Sequence, residues 1–370
     1  MKHRLLLVIG ARPQFIKSAP IIKEIITKHG SIDLRIIHTG QHYDPEMSAI
    51  FFKELRIPQP CVNLHVGSGS HATQTALMMQ RLEGELIRRR PDLVMVPGDT
   101  NTTLAGALAA AKLNIPVAHV EAGLRSYDLS MPEEINRRLT DHCSTLLFSP
   151  TRNASSNLKR EGFKTGVYLT GDTMVDALRA AMPFVEKAET AILNRLGVEP
   201  ANFVLVTLHR PSNVDNPSRL GLVHRALRKV ATKLPVIFPV HPRTRSRLNQ
   251  IGILRQPKRR IINLVAPQGY VESLALLKNS NCLLTDSGGM QKEAFLFKVP
   301  CITLRPNTEW PETLKAQANR LITDPKRIAP TVAEVAFDAI LRLRIRQLKN
   351  PFGDGRAAAR IVRTVTNVLK

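Results

Sequence analysis

The chain has 370 residues, 43% of them hydrophobic and 22% charged, an ordinary globular composition that excludes an intrinsically disordered protein. Lys and Arg number 53 against 30 Asp and Glu, a formal net charge of +23. That excess invites a nucleic-acid, membrane-surface or small-anion partner and says nothing about fold. Aromatic residues, at 5%, argue against base-stacking platforms.

A length of roughly 100–200 residues per domain predicts two or three domains. Two basic residues and a short apolar run open the chain. The run stops at Arg12 with no small-residue cleavage site, so it reads as a first strand rather than a signal peptide. No run of about 18 apolar residues is present to span a membrane. The four cysteines, Cys61, Cys143, Cys282 and Cys301, form no CxxC pair and no Cys/His zinc spacing. That usage predicts a reducing cytoplasm and no metal site.

Aliphatic and β-branched runs then recur along the chain. Those at 5–9, 34–38, 93–97, 117–120, 146–149 and 167–170 predict a first series of strands, with helical patterns at 102–113 and 133–144 between them. Residues 176–202 carry no strand pattern and read as a helical linker. The chain then restarts in the manner of its beginning. A second series of strands follows at 203–207, 236–240, 261–265, 282–285 and 301–304, with a helical pattern at 218–233. Most runs are apolar throughout, as parallel strands buried on both faces require. Strand–helix alternation predicts α/β doubly wound sheets. The expected architecture is two Rossmann-like domains, residues 1–175 and 176–355, facing each other across a cleft. A basic helix at 356–370 is expected to pack back on the first domain.

Open α/β sheets bind ligands beyond the carboxyl ends of their strands, and uncommon polar residues stand there. After the first run comes Gly10-Ala11-Arg12-Pro13-Gln14-Phe15-Ile16-Lys17. A helix starting here offers N–H groups, a positive dipole end, Arg12 and Lys17 to an anion; the bland alternative is a β–α turn with solvated bases. After the third run comes Pro97-Gly98-Asp99-Thr100-Asn101-Thr102, where helix capping is an equal alternative. After the fourth comes His119-Val120-Glu121-Ala122-Gly123. Capping explains Glu121 poorly, because the next helical pattern starts only near Pro132. On that helix Glu133 and Arg137 share a face, as do Glu134 and Arg138. One pair is expected to be a solvated salt bridge, the other a carboxylate held against substrate by a guanidinium.

In the second half, His209 and His241 close two strand runs at equivalent places, and Gln268 follows a third. Ser287-Gly288-Gly289 opens a helix whose backbone N–H groups can approach a phosphate, with Glu293 one turn further and in reach of a ribose. The pattern predicts a nucleotide diphosphate held mainly by the second domain. Asp99, Glu121 and Glu133 of the first supply acid/base groups for the attached sugar.

Six segments, 10–17, 98–105, 119–126, 132–137, 208–210 and 285–294, run in order between about residues 5 and 355 and resemble the non-hydrolysing UDP-N-acetylglucosamine 2-epimerases. The resemblance implies a GT-B-like fold, a homodimer, and interconversion of UDP-GlcNAc and UDP-ManNAc without redox cofactor or metal. The C2 proton is removed and UDP expelled to leave 2-acetamidoglucal; UDP then re-adds with protonation on the opposite face. It further implies that Arg12, Lys17, His209 and Gln268 hold the nucleotide-sugar together with Ser287, Gly288, Gly289 and Glu293. Asp99, Glu121 and Glu133 become the acid/base carboxylates, with Arg137 alongside Glu133, and His209 steadies the leaving phosphate.

Three departures qualify the substrate. Trp310 and Ser273 stand where the family often has Arg and Phe. Gln41-His42 continues as Tyr43-Asp44-Pro45, unlike the branch activated by its own substrate. Trp310 and the opening motif are similar to a sister branch that epimerises UDP-2,3-diacetamido-glucuronate, which makes that sugar the alternative. A GT-B glycosyltransferase and a hydrolysing epimerase share the expected fold or site. A nucleic-acid-binding reading rests only on the basic runs at 88–90, 258–260 and 342–346, which lack neighbouring aromatics and read as solvated faces. The expected partner is therefore a UDP-amino-sugar, with neither nucleic acid nor membrane.

Overall fold

The computed structural model describes residues 2–28, 30–41, 52, 54–255 and 262–370. The Tyr43-Asp44-Pro45 segment, the basic run 258–260 and residue 261 lie outside the described residues. The chain divides into one unit of Met1–Ala180 with Asn350–Lys370 and a second of Ala181–Lys349.

In the first unit, β1 (His3–Ile9), β2 (Ile32–His38), β3 (Val62–Asn63), β4 (Leu93–Pro97), β5 (Val117–Val120), β6 (Leu146–Ser149) and β7 (Val167–Leu169) form one sheet. Their order is β3-β2-β1-β4-β5-β6-β7, and every pairing is parallel. Leu5 of β1 sits between Leu34 of β2 and Leu93 of β4. Burial on both faces explains why these strands are apolar without alternation. The helix Asn101–Lys112, rich in Ala, is almost wholly buried against this sheet, its small side chains letting it approach Val8 and Val96 closely.

In the second unit, β8 (Val204–Thr207), β9 (Val236–Pro239), β10 (Ile262–Val265), β11 (Cys282–Thr285), β12 (Cys301–Leu304) and β13 (Asn319–Ile322) form a parallel sheet in the order β10-β9-β8-β11-β12-β13. Both sheets follow the Rossmann permutation. The winding reverses between β1 and β4 in one and between β8 and β11 in the other, and the crevice for a ligand lies at such a switch point.

Two strands were not expected. β3 is two residues long, and β13 carries Asn319 and Arg320 at the sheet edge, so neither makes an apolar run. The domain boundaries also move. The chain leaves the first unit at Ala180, inside the helix Thr173–Leu196, rather than at 175, because the first turns of that helix bury Met174, Val175 and Ala177. It returns at Asn350 rather than at 356. Phe352 O accepts the N–H of Asp172 at 2.8 Å, and Asp354 O accepts from Arg179. The last helix, Ala357–Leu369, buries Ile361, Val362 and Val365 and packs on the helix Arg12–Lys28. Its first N–H groups, of Ala357 and Ala358, donate to the Asp176 carboxylate at 3.2 and 3.0 Å. Among the described residues no helix is long and apolar enough to cross a membrane.

Candidate active site

At the first switch point, Gln14 does work that the sequence motif concealed. Its Oε1 accepts the N–H groups of Gly10 and Ala11 at 2.8 and 3.0 Å, and its Nε2 donates to Pro97 O and Thr103 Oγ1 at 3.0 and 3.1 Å. The side chain thus staples the end of β1 to the end of β4. The two N–H groups it satisfies belong to the residues just before the helix Arg12–Lys28.

Beyond β4, Gly98 has φ +73° and precedes Asp99. Thr100, not Asp99, caps the next helix: its Oγ1 and that of Thr103 form a reciprocal capping box. Asp99 is therefore released from capping. Arg137 donates to Asp99 Oδ2 at 2.6 Å, and Asn136 donates to Asp99 O at 3.0 Å. Beyond β5, Glu121 is 6% exposed and holds φ +79°, a conformation that costs a non-glycine residue about 1–3 kcal/mol and that gathers at functional sites. Its Oε2 is ion-paired with Lys17 and lies 3.7 Å from where a Gly98 Cβ would stand, so Glu121 and Lys17 close on the residue just before Asp99. Lys17, expected on the nucleotide-sugar, is committed to Glu121 in this arrangement.

The helix Pro132–His142 corrects the expected pairing of its charges. Arg137 is buried and donates to Glu134 Oε2 at 2.8 Å, one residue over from Glu133. Glu134 is wholly buried and also accepts the N–H and Oγ–H of Ser126 at 2.8 and 2.9 Å. Arg137 therefore spans Glu134 and Asp99, because both can be reached from the buried face of the helix. Glu133 stays half-buried, with no ion pair or hydrogen bond among the described residues. Arg12 is half-buried at the start of its helix.

At the second switch point, His209 follows β8 and Asp286 follows β11. Asp286 is wholly buried. It accepts the N–H groups of His209 and Arg210 at 3.1 and 3.0 Å and Asn213 Nδ2 at 3.0 Å, and lies 3.2 Å from His209 Nδ1. The His241 ring lies 5.7 Å from the His209 ring, so the two strand-end histidines do meet. His241 Nδ1 accepts the Arg243 N–H at 3.2 Å, which leaves the proton on Nε2.

Ser287 sits at the N-cap of the helix Gly288–Phe297 without a side-chain cap bond. Nothing lies within 4 Å of where a Gly289 Cβ would be, and Gly288 faces Glu309 and Trp310. Glu293 is buried one turn further on. Gln268 donates to Ala266 O at 2.7 Å, and Ser273 Oγ reaches Gln268 O at 3.5 Å. Trp310 is buried, and its ring carries the Lys292 ammonium at 3.9 Å from the centroid.

Sequence reasoning quoted Gln14 and Asp286 inside longer motifs without giving either a role. The available signal was position: Gln14 lies in the first turn of the helix after one central strand, and Asp286 directly follows another. Among the described residues no group of three His, Cys, Asp or Glu is placed to hold a metal ion. The two basic runs within the described residues are spent locally or exposed: Arg88 and Arg89 pair with Glu85, and Arg342 donates to the carbonyls of Asn281 and Ala336.

A family model described as UDP-N-acetylglucosamine 2-epimerase matches residues 24–366. The chain is 46% identical over 369 residues to a UDP-N-acetylglucosamine 2-epimerase of Methanocaldococcus jannaschii, covering 98% of this chain and 99% of the relative. It is 42% identical over 363 residues to the UDP-2,3-diacetamido-2,3-dideoxy-D-glucuronate 2-epimerase of Pseudomonas aeruginosa, covering 97% and 98%. The crystal structure of the Methanocaldococcus jannaschii UDP-GlcNAc 2-epimerase in complex with UDP-GlcNAc and UDP superposes with a TM-score of 0.91 at 44% identity, covering 98% of this chain and 99% of that one.

Proposed function

The chain belongs to the UDP-N-acetylglucosamine 2-epimerase family, and we propose on that footing that it inverts C2 of a UDP-linked 2-acetamido sugar, interconverting UDP-GlcNAc and UDP-ManNAc. The second unit binds the nucleotide. The helix start at Ser287, Gly288 and Gly289 takes the diphosphate, Glu293 the ribose, and Gln268 and His241 further edges of the UDP. The first unit acts on the sugar through Asp99, Glu121 and Glu133, and its Arg12 helps to hold the nucleotide-sugar.

One carboxylate removes the C2 proton. The C–H electron pair becomes the C1–C2 double bond as the C1–O pair leaves with UDP, giving 2-acetamidoglucal. UDP then returns to C1 while a carboxylate delivers a proton to the opposite face of C2. His209 donates from Nε2 to the departing phosphate, its Nδ1 being turned to Asp286. The observation that carries this reading is the Lys17–Glu121 pair set against Gly98, next to an Asp99 that is held by Arg137 rather than used as a helix cap. Two carboxylates with different partners suit opposite halves of a proton exchange. A homodimer in a cytoplasmic setting completes the proposal.

A second reading, epimerisation of UDP-2,3-diacetamido-glucuronate, is favoured by Trp310 under Lys292 and by the 42% identity to the Pseudomonas aeruginosa enzyme. Both sugars, offered side by side in deuterated water, test the reaction and choose the substrate. The expected product is the C2 epimer carrying deuterium at C2. Turnover without that label overturns the mechanism, free ManNAc plus UDP indicates a hydrolysing enzyme, and transfer to an added acceptor indicates a glycosyltransferase.

A further inference from the structure

Behind the carboxylate-bearing turns of the first unit runs a chain of charges, buried except at its last member. His119 of β5 is wholly buried. Its Nε2 lies 2.7 Å from Gly98 O, and a carbonyl only accepts, so Nε2 carries a proton. Its Nδ1 lies 2.7 Å from Oδ1 of Asp141, which is just as buried. Asp141 Oδ2 receives Arg125 Nη1 at 2.7 Å and the Gly123 N–H at 3.1 Å. Burial pushes the Asp141 carboxyl up, but His119 and Arg125 together outweigh it and hold that carboxyl below its ordinary range. Arg125 ends the chain in a two-bond fork on Glu161, at 2.7 and 2.5 Å. With Asp141 ionised, both nitrogens of His119 donate, and the four charges balance.

We propose that His119 is a positioning residue. As a doubly protonated ring on β5 it holds the Gly98 carbonyl, and with it the Asp99 turn, against the strand that carries Glu121, while Asp141 orients the ring from behind; the Gly98 bond so fixes how the two carboxylates stand relative to each other. The proposal rests on the reading of Asp99 and Glu121 as the groups that act at C2. Its force comes from the conformations it restrains. Gly98, Glu121 and Gly123 all have positive φ, at +73°, +79° and +82°. The Gly98 peptide is gripped twice by β5: its N–H donates to Val120 O at 2.9 Å and its carbonyl accepts from His119. His38 supplies a contrast within the same unit. It is also buried, but its Nδ1 accepts the Gly40 N–H at 3.0 Å and burial lowers its pKa, so it carries one ring proton only.

The two amide side chains separate the two bonds. An Asn at 119 puts its nitrogen near the place of Nδ1 and keeps the Asp141 bond; a Gln puts its nitrogen near the place of Nε2 and keeps the Gly98 bond. Epimerisation is measured for wild type, His119→Asn, His119→Gln, Asp99→Asn and Glu121→Gln, with folding checked by circular dichroism and UDP binding by calorimetry. His119→Asn is expected to lose about 100-fold in kcat with KM within about threefold, as befits a group that places acid/base residues. His119→Gln is expected to recover to within about tenfold of wild type, the scale of an outer hydrogen bond. Equal losses in the two variants, or a loss confined to KM, overturn the proposal. Where neither variant folds, the wild-type protein with 15N-histidine decides: a buried imidazole with both ring N–H groups visible supports it, and buried rings with one N–H only overturn it. Full activity of Asp99→Asn and Glu121→Gln instead refutes the carboxylate roles, and that failure is read separately from the state of the His119 ring.

Discussion

Asp286 holds His209 from behind: its Oδ1 lies 3.2 Å from His209 Nδ1 while the same carboxylate takes the backbone N–H groups of His209 and Arg210. A neutral amide cannot offer two acceptor oxygens to these donors. Asp286→Asn is therefore expected to lower kcat by about 10²-fold, the lower range for an acid/base group that has lost its orientation. Steady-state kinetics beside a UDP titration check this; an unchanged kcat refutes the orienting role.

Glu121 and Asp99 differ in what holds them, Lys17 for one and Arg137 for the other. Glu121→Gln and Asp99→Asn are each expected to cut turnover by about 10²–10⁴-fold, the range for removal of a general acid or base. UDP affinity should stay close to wild type, because the proposed nucleotide residues belong to the other unit. Near-normal turnover in both variants would remove these carboxylates from the reaction.

Arg137 is buried across Glu134, which is itself wholly buried. Arg137→Met leaves a buried carboxylate without its cation, a change that costs about 3–5 kcal/mol. Urea unfolding should show that loss. A smaller loss with abolished activity would mean that Arg137 serves Asp99 more than the fold.

The four thiols should separate by burial. Cys61 is exposed, whereas burial pushes Cys282 and Cys301 up to about 12, so neither forms a thiolate near neutrality. Titration with a disulfide reagent is expected to modify Cys61 first and the half-buried Cys143 slowly. Cys282 and Cys301 should react only after denaturation.

Hydrogen bonds from Arg360 hold Asp354 down from an ordinary 3.8 to about 2. A depressed folded-state value means that the unfolded chain binds the proton more readily. The associated stability is present above about 3.8 and is lost as the pH falls towards 2. Asp354→Asn should lower stability at neutral pH, and the difference from wild type should shrink as the pH falls through that window, which flattens the acid limb. A parallel shift at every pH would mean the contribution is not ionic.

Most strands could be read from the sequence because parallel strands buried on both faces are written as plain apolar runs. β13 escaped because an edge strand tolerates Asn319 and Arg320, and Asn319 is spent on Gln291 and Thr313 rather than on packing. The positions of Asp99, Glu121 and His209 stood out as polar residues ending apolar runs. Their partners did not. Glu133 and Glu134 are both within helical reach of Arg137, and only the burial of one face selects Glu134. Gln14 and Asp286 were invisible as staples because their partners are distant in sequence, at Pro97 and Thr103 for the one and at His209 for the other.

The return of residues 350–370 to the first unit orders events during synthesis. The helix Arg12–Lys28 emerges from the ribosome early, yet the helix Ala357–Leu369 that packs on it emerges only after the whole second unit. The continuous unit, Ala181–Lys349, has every residue it needs before the discontinuous one does. The part of the protein translated first is therefore the part finished second, and it must wait without the helix that packs on Arg12–Lys28.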